Sequence, residues 1–369
     1  EEKSIRENTK IYCQKNLFPN VVKDNRAQFF DKEIYKDFGK MGFLGSTVKG
    51  FGSAEINKVS YGLIAFEIES IDSSYRSAIS VQSSLVCHPI EHFGSEDQKN
   101  NYLPDLIKGN LIGCFGLTES EAGSDPSSMK TNFIEKEDHY MINGAKNWIT
   151  NAPIADIFLI WALNDKNNIQ LFLIPKNTKG LKISTIENKT SLRISPTGQI
   201  ILDNVKIPKE NILPNTSGWK SVYSCLNNAR YGISWGVLGA ANNAWKISKD
   251  YVENRIMFKK PLAANQLIQK KLADMQTEVN LGLSSCLLTS KAMDEGKDII
   301  NAISILKRNN CKKSLDIVRD CRDMLGANGL IEEYHIMRHL VNLETVKTYE
   351  GAENIHSLIL GKNQTGIAS

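Results

Sequence analysis

The chain has 369 residues, 41% of them apolar and 23% charged, with a net charge of +4. These are values of an ordinary globular protein of two or three domains. The small, dispersed basic excess speaks against nucleic-acid binding, and the apolar run Ile157–Leu163 is far too short to cross a bilayer. The start, EEKSIRENTK, is acidic and polar, unlike a signal peptide, and its lack of an initial Met fits processing or truncation.

The predicted elements change character twice along the chain. Helix is expected at Glu33–Gly39, before Gly-rich loops at Gly42–Gly52, and again from Ile56 to about Cys87. A turn-rich stretch is expected between Pro104 and Gly116. The run HYMINGAKNWIT (His139–Thr150) sets Asn143-Gly144 between two β-prone segments, which predicts a hairpin. Strands are expected at Ile157–Trp161, Ile169–Ile174, Leu181–Ile186 and Gln199–Ile207. Long amphipathic helices follow at Val222–Glu253, Gln266–Met293, Ile299–Leu325 and Tyr334–Val346. This order gives an α+β multidomain chain: an N-terminal helical domain (1–113), a middle β-barrel or sandwich domain (114–216) and a C-terminal four-helix bundle (217–369). It does not alternate as a doubly wound sheet does.

Seven cysteines, none in a CxxC pair, read as reduced and mostly buried thiols. That pattern fits a bacterial cytoplasm or a mitochondrial matrix equally. His88 with His92 and His335 with His339 have the i,i+4 spacing of helical metal ligands, but Pro89 interrupts the first pair and the second lacks an evident third ligand. No metal is expected. The basic cluster Lys307–Lys313 fits a solvated helix face.

Several residues are candidates for chemistry. CFGLTESEAGSDPSS (Cys114–Ser128) offers Thr118, Gly123 and Ser124 as small side chains with approachable backbone N–H groups; such a loop can hold a phosphate, or be only a turn. Trp148 is either a strand anchor or a flat wall for an aromatic ligand. Arg76 shares a helical face with Ser80 and Ser83, and Glu69 and Asp72 can reach it. It is either an intrahelical ion pair or a fork for a ligand carboxylate. Arg230 and Arg255 can each neutralise a phosphate or pair on the surface. The segment Asp323–Gly329 (DMLGANG) is a helix C-cap or a place for close approach. Glu350, between a tyrosine and a glycine, is either a turn residue or a base held near a ligand.

Read in order, FGLTESEAGSDPSSM, NWITN, CLNNARYGISWGVLGA, NQLIQKKLADM, KRNNCKKSLDIVRDCRDMLGANG, EYHIMRH and TYEGAENIHSLILG resemble the acyl-CoA dehydrogenases, and within them the glutaryl-CoA dehydrogenases, over essentially the whole chain. The resemblance implies noncovalent FAD. Leu117, Thr118, Gly123 and Ser124 would meet the flavin and its phosphates, with Trp148 and Thr150 beside the ring. Arg255, Gln266, Asp323, Met324, Leu325, Gly326 and Ala327 would hold the adenosine half, from a neighbouring subunit of a homotetramer. Ser124 and Arg230 match substrate-contacting positions, and Gly351 keeps the backbone beside the base open. Glu350 matches the catalytic base.

Arg76 matches the arginine that binds the distal carboxylate of glutaryl-CoA, with Ser77, Glu69, Thr150 and Tyr349 as its polar neighbours. The implied reaction is dehydrogenation with decarboxylation to crotonyl-CoA and CO2, electrons passing to an electron-transfer flavoprotein. A non-decarboxylating enzyme, a short-chain acyl-CoA dehydrogenase or oxidase, and a silent binding subunit are the alternatives. Ala352 stands where the family commonly has Thr, so one hydrogen bond to the flavin is expected to be missing, worth on the order of 1 kcal/mol.

Overall fold

The computed structural model describes residues 1–367. Helices α1 (Glu2–Tyr12), α2 (Val21–Ala27), α3 (Ile34–Lys40), α4 (Lys58–Glu69), α5 (Ser73–Ser80), α6 (His88–Phe93) and α7 (Glu96–Lys108) form the first part. The expected helix from Ile56 to Cys87 is therefore broken. Asp72 breaks it: its carboxylate accepts the Ser74 N–H at 2.8 Å and starts α5 afresh. After α5 the helix continues as a π segment, Val81–Cys87. The turn-rich reading of Pro104–Gly116 also fails in part. A Ser95/Gln98 capping box starts α7, and Pro104 sits inside it. The carbonyl that Pro104 deprives of an amide belongs to exposed Asn100, where water can serve it. Gly109, at φ +73°, ends the helix.

The β domain is one seven-stranded sheet. Its strands are β1 (Gly113–Gly116), β2 (Asn132–Glu135), β3 (His139–Thr150), β4 (Ile157–Leu163), β5 (Ile169–Pro175), β6 (Leu181–Thr185) and β7 (Thr197–Pro208). They run in the order β1-β4-β2-β3-β7-β6, with β5 paired to β4. The expected hairpin at Asn143-Gly144 is absent: β3 is continuous there and pairs with β2 on one side and β7 on the other. Asn143-Gly144 instead faces a bulge on β7, where Asp203 and Asn204 together oppose Asn143; Gly144 has φ +144°, Asn204 φ +50°, and the Asn143 side chain accepts the Asn204 N–H at 2.8 Å. A second irregularity between Lys146 and Ile149 puts Trp148 at φ +59° and turns its ring outward, 58% exposed.

Helices α8 (Trp219–Asn254), α9 (Gln266–Asp294), α10 (Ile300–Met324) and α11 (Ile336–Thr348) form the bundle, and α12 (Glu353–Thr365) packs along α10. Every residue of α8 from Ala229 to Ala241 is buried, so α8 is the axis against which α4, α9 and α10 pack. One turn of α11 joins the three domains. Arg338 donates to Asp72 Oδ2 at 2.8 Å and to the Ile71 carbonyl at 2.6 Å. Asn342 donates to the same Asp72 oxygen at 2.9 Å and accepts the Leu192 N–H of the β domain at 2.7 Å. Among the described residues no helix is long and apolar enough to cross a membrane.

Candidate active site

A cavity of about 1180 Å³ opens where the β domain meets the bundle. This exceeds a usual single-ligand pocket and suits two ligands lying against each other. The β domain contributes Leu117, Thr118, Gly123, Ser124, Trp148 and Thr150. Helix α8 contributes Arg230, and the turn between α11 and α12 contributes Tyr349, Glu350, Gly351 and Ala352. The sequence thus placed eleven candidate residues that the fold gathers around one space.

The turn is held in an unusual shape. Glu350 has φ +54° and Gly351 φ +101°. The first is uncommon for a residue with a side chain and marks a conformation imposed by its surroundings. Arg230 Nε donates to the Glu350 carbonyl at 2.7 Å, and Arg230 Nη1 to Asn227 Oδ1 at 2.9 Å. From α10, Lys307 Nζ donates to the carbonyls of Tyr349 (2.7 Å), Gly351 (2.7 Å) and Lys347 (3.2 Å).

Lys307 is 1% exposed, so it does not belong to the solvated face expected for Lys307–Lys313. Sequence reasoning missed it. The signal was there: Ile303, Cys311, Ser314 and Val318 lie three, four or seven residues from Lys307 or its neighbours along one buried stripe of α10, so Lys307 stands at a core position.

Glu350 keeps an open side toward the cavity, but its Oε2 is sealed off without a partner. Burial pushes its pKa up, against the opposing pull of Arg76, Lys307 and Arg230. A carboxylate with an unpartnered oxygen and raised basicity, facing a cavity, has the properties of a proton acceptor.

Arg76 lies behind Tyr349, not in the cavity wall. Its Nε donates to Glu69 Oε2 at 2.6 Å, one Nη donates to the Tyr349 hydroxyl, and Nη1 is buried with no partner. Burial disfavours its charge, but Glu69 and Tyr349 outweigh this and raise its pKa. The pair joins two helices, because Glu69 ends α4 and Arg76 is on α5. The intrahelical reading is corrected on this point. Asp72 points elsewhere, to Arg338. Ser77 is buried on the same helix.

Gly236 of α8 makes room for the pair: a Cβ there would sit 2.0 Å from Glu69 Oε2 and 3.2 Å from Arg76 Cδ. Gly236→Ala is expected to displace the pair and cost about 1–3 kcal/mol of stability, measurable by denaturant unfolding.

The β-domain wall rests on another buried pair. Lys146 Nζ donates to Glu119 Oε1 at 2.9 Å and to the Leu117 carbonyl at 3.0 Å, beneath the Leu117–Thr118 edge. Burial lowers the Lys146 pKa to about 8 against the pull of Glu119. Lys146→Met strands the Glu119 carboxylate, so we expect a loss of roughly 3–5 kcal/mol. Gel filtration with absorbance detection would show whether bound chromophore is lost with it.

The remaining candidates lie outside this cavity. Arg255 and Gln266 are exposed at the ends of α8 and α9. Asp323 pairs with Lys271 at 2.6 Å, Met324 and Leu325 are packed in the core, and Gly326 and Ala327 are exposed. Pro89 does not interrupt His88 and His92, since it occupies the first turn of α6. With Glu91 their ligand atoms come within 4.8 Å of one another. His88 Nε2 already bonds Ser224, and His92 Nδ1 bonds the His88 carbonyl.

A glutamate of raised basicity on a strained turn and a Ser/Gly loop of the β domain share one cavity with room for two ligands, as an enzyme site requires. Residues 1–110, 114–205 and 216–365 match the N-terminal, middle and C-terminal domains of acyl-CoA dehydrogenase, and the chain belongs to that family. It is 41% identical to a glutaryl-CoA dehydrogenase from Mycobacterium smegmatis solved in complex with FADH2, covering 100% of this chain and 95% of that one at a TM-score of 0.98. An acyl-CoA dehydrogenase of Bacillus subtilis is 33% identical (99% and 98% covered), and the glutaryl-CoA dehydrogenase of Desulfococcus multivorans 30% (100% and 97%).

Proposed function

We propose that this acyl-CoA dehydrogenase is a decarboxylating glutaryl-CoA dehydrogenase that uses FAD and passes electrons to an electron-transfer flavoprotein. The observation that carries the substrate is Arg76: a buried guanidinium with a free Nη1, set beside Tyr349 and Glu350. Around the turn three cations, Arg76, Arg230 and Lys307, face two carboxylates, Glu69 and Glu350. The excess positive charge suits a substrate that brings its own carboxylate.

FAD fits the open backbone at Gly123, where an added Cβ would meet nothing, and the exposed Trp148 ring. Leu117, Thr118, Ser124, Trp148, Thr150 and Ala352 would hold its flavin half. When bound, it supplies acceptance of the hydride from the substrate β carbon.

Glu350 takes the α proton, and the Glu350 N–H receives the negative charge that develops on the thioester oxygen. Arg230 fixes the Glu350 carbonyl while this happens. Tyr349 on the cavity wall meets the distal carboxylate, and the Arg76 charge behind it attracts that carboxylate. After desaturation the bond from the γ carbon to that carboxylate breaks, CO2 leaves, and the electron pair spreads into the conjugated thioester as a dienolate. Glu350, now an acid, returns a proton to the γ carbon to give crotonyl-CoA.

The adenosine half falls to Arg255, Gln266 and Asp323–Ala327 of a neighbouring chain in a homotetramer. Exposed Phe258, Leu267, Leu281 and Leu288 give the apolar surface such an assembly needs. Seven free, buried cysteines suit a reducing compartment, a bacterial cytoplasm or mitochondrial matrix.

Anaerobic mixing with glutaryl-CoA, followed by mass spectrometry of the CoA products after an acceptor is added, is the test. Bleaching with crotonyl-CoA and CO2 supports the proposal, and glutaconyl-CoA alone removes the decarboxylation step. A second reading has one observation in its favour. Arg76 is screened from the cavity by Tyr349 and already paired with Glu69, so it would also suit an enzyme for a short neutral chain. Bleaching by butyryl-CoA but not glutaryl-CoA would select it.

A further inference from the structure

Lys307 is a charge kept where charge is expensive. Burying an ammonium costs several kcal/mol unless it is fully bonded, and an apolar residue would fill the same stripe of α10. All three of its N–H donors are used, each on a carbonyl of the 347–351 segment. No carboxylate contacts it directly among the described residues. Its bonds therefore do for the backbone what an ion pair does for a side chain.

The consequence lies in the peptide between Tyr349 and Glu350. It is trans, so its C=O and N–H point in opposite directions. Lys307 grips the C=O from the side of α10, away from the cavity wall that Glu350 helps to form. The Glu350 N–H must then face the other way, and it donates to no group among the described residues. The alignment ammonium, carbonyl, amide also polarises the N–H, because hydrogen bonds in a chain strengthen one another.

We infer that Lys307 is a positioning residue for the transition state: through the Tyr349 and Gly351 carbonyls it holds and polarises the Glu350 amide that receives the enolate oxygen. This role rests on the dehydrogenase reading. It differs from that of Arg230, which holds the next peptide, and from that of Arg76, which attracts the far end of the substrate. The charged or titratable groups around Glu350 are Arg76 with its partner Glu69, Tyr349, Tyr61 from α4, Arg230 from α8, Lys307 and Cys311 from α10, and His356 from α12, whose pKa burial lowers to about 3, so that it stays neutral.

The test compares wild-type holoenzyme with Lys307→Met, which keeps the stem and loses the ammonium, and with Lys307→Arg, which restores a cation. Three quantities are read: the limiting rate of flavin bleaching, the Kd for a saturated acyl-CoA, and the pH at which a bound β-ketoacyl-CoA ionises to its enolate. In Lys307→Met the bleaching rate is expected to fall roughly 10–100-fold, toward the loss seen when an oxyanion donor is removed. The Kd should stay within about threefold, because the ground state barely uses the interaction. The enolate pH midpoint should rise by about one unit or more, the direction expected when a stabilising charge is lost. Lys307→Arg should recover part of both.

An unchanged enolate midpoint would overturn the inference, even with slower turnover, since a merely structural lysine lowers rate, affinity and thermal midpoint together. If Lys307→Met does not hold FAD, Lys307→Gln is judged by the same midpoint. Wild-type enzyme that neither bleaches with any acyl-CoA nor ionises the β-ketoacyl thioester would sink the dehydrogenase reading, and this role with it.

Discussion

Glu350→Gln should give a protein that keeps its FAD and binds acyl-CoA, yet bleaches about 10²–10⁴-fold more slowly than wild type, the usual contribution of a positioned general base. The substitution keeps the size of the side chain but removes the basicity of the carboxylate, whose pKa burial raises. Stopped-flow absorbance is the measurement, and rapid bleaching by the variant would exclude Glu350 as the base. The pH dependence follows from the same residue. Its pKa lies above the ordinary 4.5, first because of burial, against the pull of Arg76, Lys307 and Arg230. A base must be deprotonated to act, so the bleaching rate should rise with pH through that raised value. For stability the sign is opposite. The folded chain holds this proton more tightly than the unfolded chain, so the contribution is full below pH 4.5 and is lost as pH rises through the folded-state value.

Arg76→Met should separate the two substrate classes. Under the proposed role of Arg76 as anchor for the distal carboxylate, its loss should cost glutaryl-CoA roughly 2–5 kcal/mol in kcat/KM, the range for truncating one partner of a buried charge pair. Butyryl-CoA, with no carboxylate to anchor, should lose far less. The single variant also strands Glu69, which is 0% exposed, at a stability cost of roughly 3–5 kcal/mol. The double variant Glu69→Gln with Arg76→Met removes that complication, because both charges leave together. Steady-state kinetics with the two thioesters, run on single and double variants, decides the matter. Equal losses on both substrates would show that Arg76 only supports the fold.

The order of helices, strands and helices was legible because the hydrophobic period changes from 3.6 to 2 and back. Most cavity residues were legible because Leu117–Ser124 and Tyr349–Ala352 fall in short loops between regular elements, whereas Trp148 and Thr150 sit on β3 and Arg230 within α8. Other features were hidden for physical reasons. The break at Asp72 carries no Gly or Pro, only a capping carboxylate, so one long helix was the natural reading. Asn143-Gly144 has hairpin chemistry, but pairing on both edges of β3 carries the strand straight through it, and the irregularity falls on β7 instead. Lys307 was masked by its basic neighbours, which do face water, while its own side chain points inward. Arg255, Gln266 and Asp323–Ala327 lie outside the cavity of their own chain, and the proposed role for them requires a neighbouring chain.

The junction on α11 bears on how this molecule moves. Asp72, Arg338, Asn342 and the Leu192 amide tie the N-terminal helices, the bundle and the β sheet through one buried carboxylate. Parting the N-terminal helices from the bundle would strip Asp72 of Arg338 and Asn342, and parting the sheet from the bundle would break the Leu192–Asn342 bond. Calorimetry of the intact chain should therefore record a single endotherm in place of three successive ones. The Tyr349–Ala352 turn follows directly on the end of the same helix and inherits that rigidity.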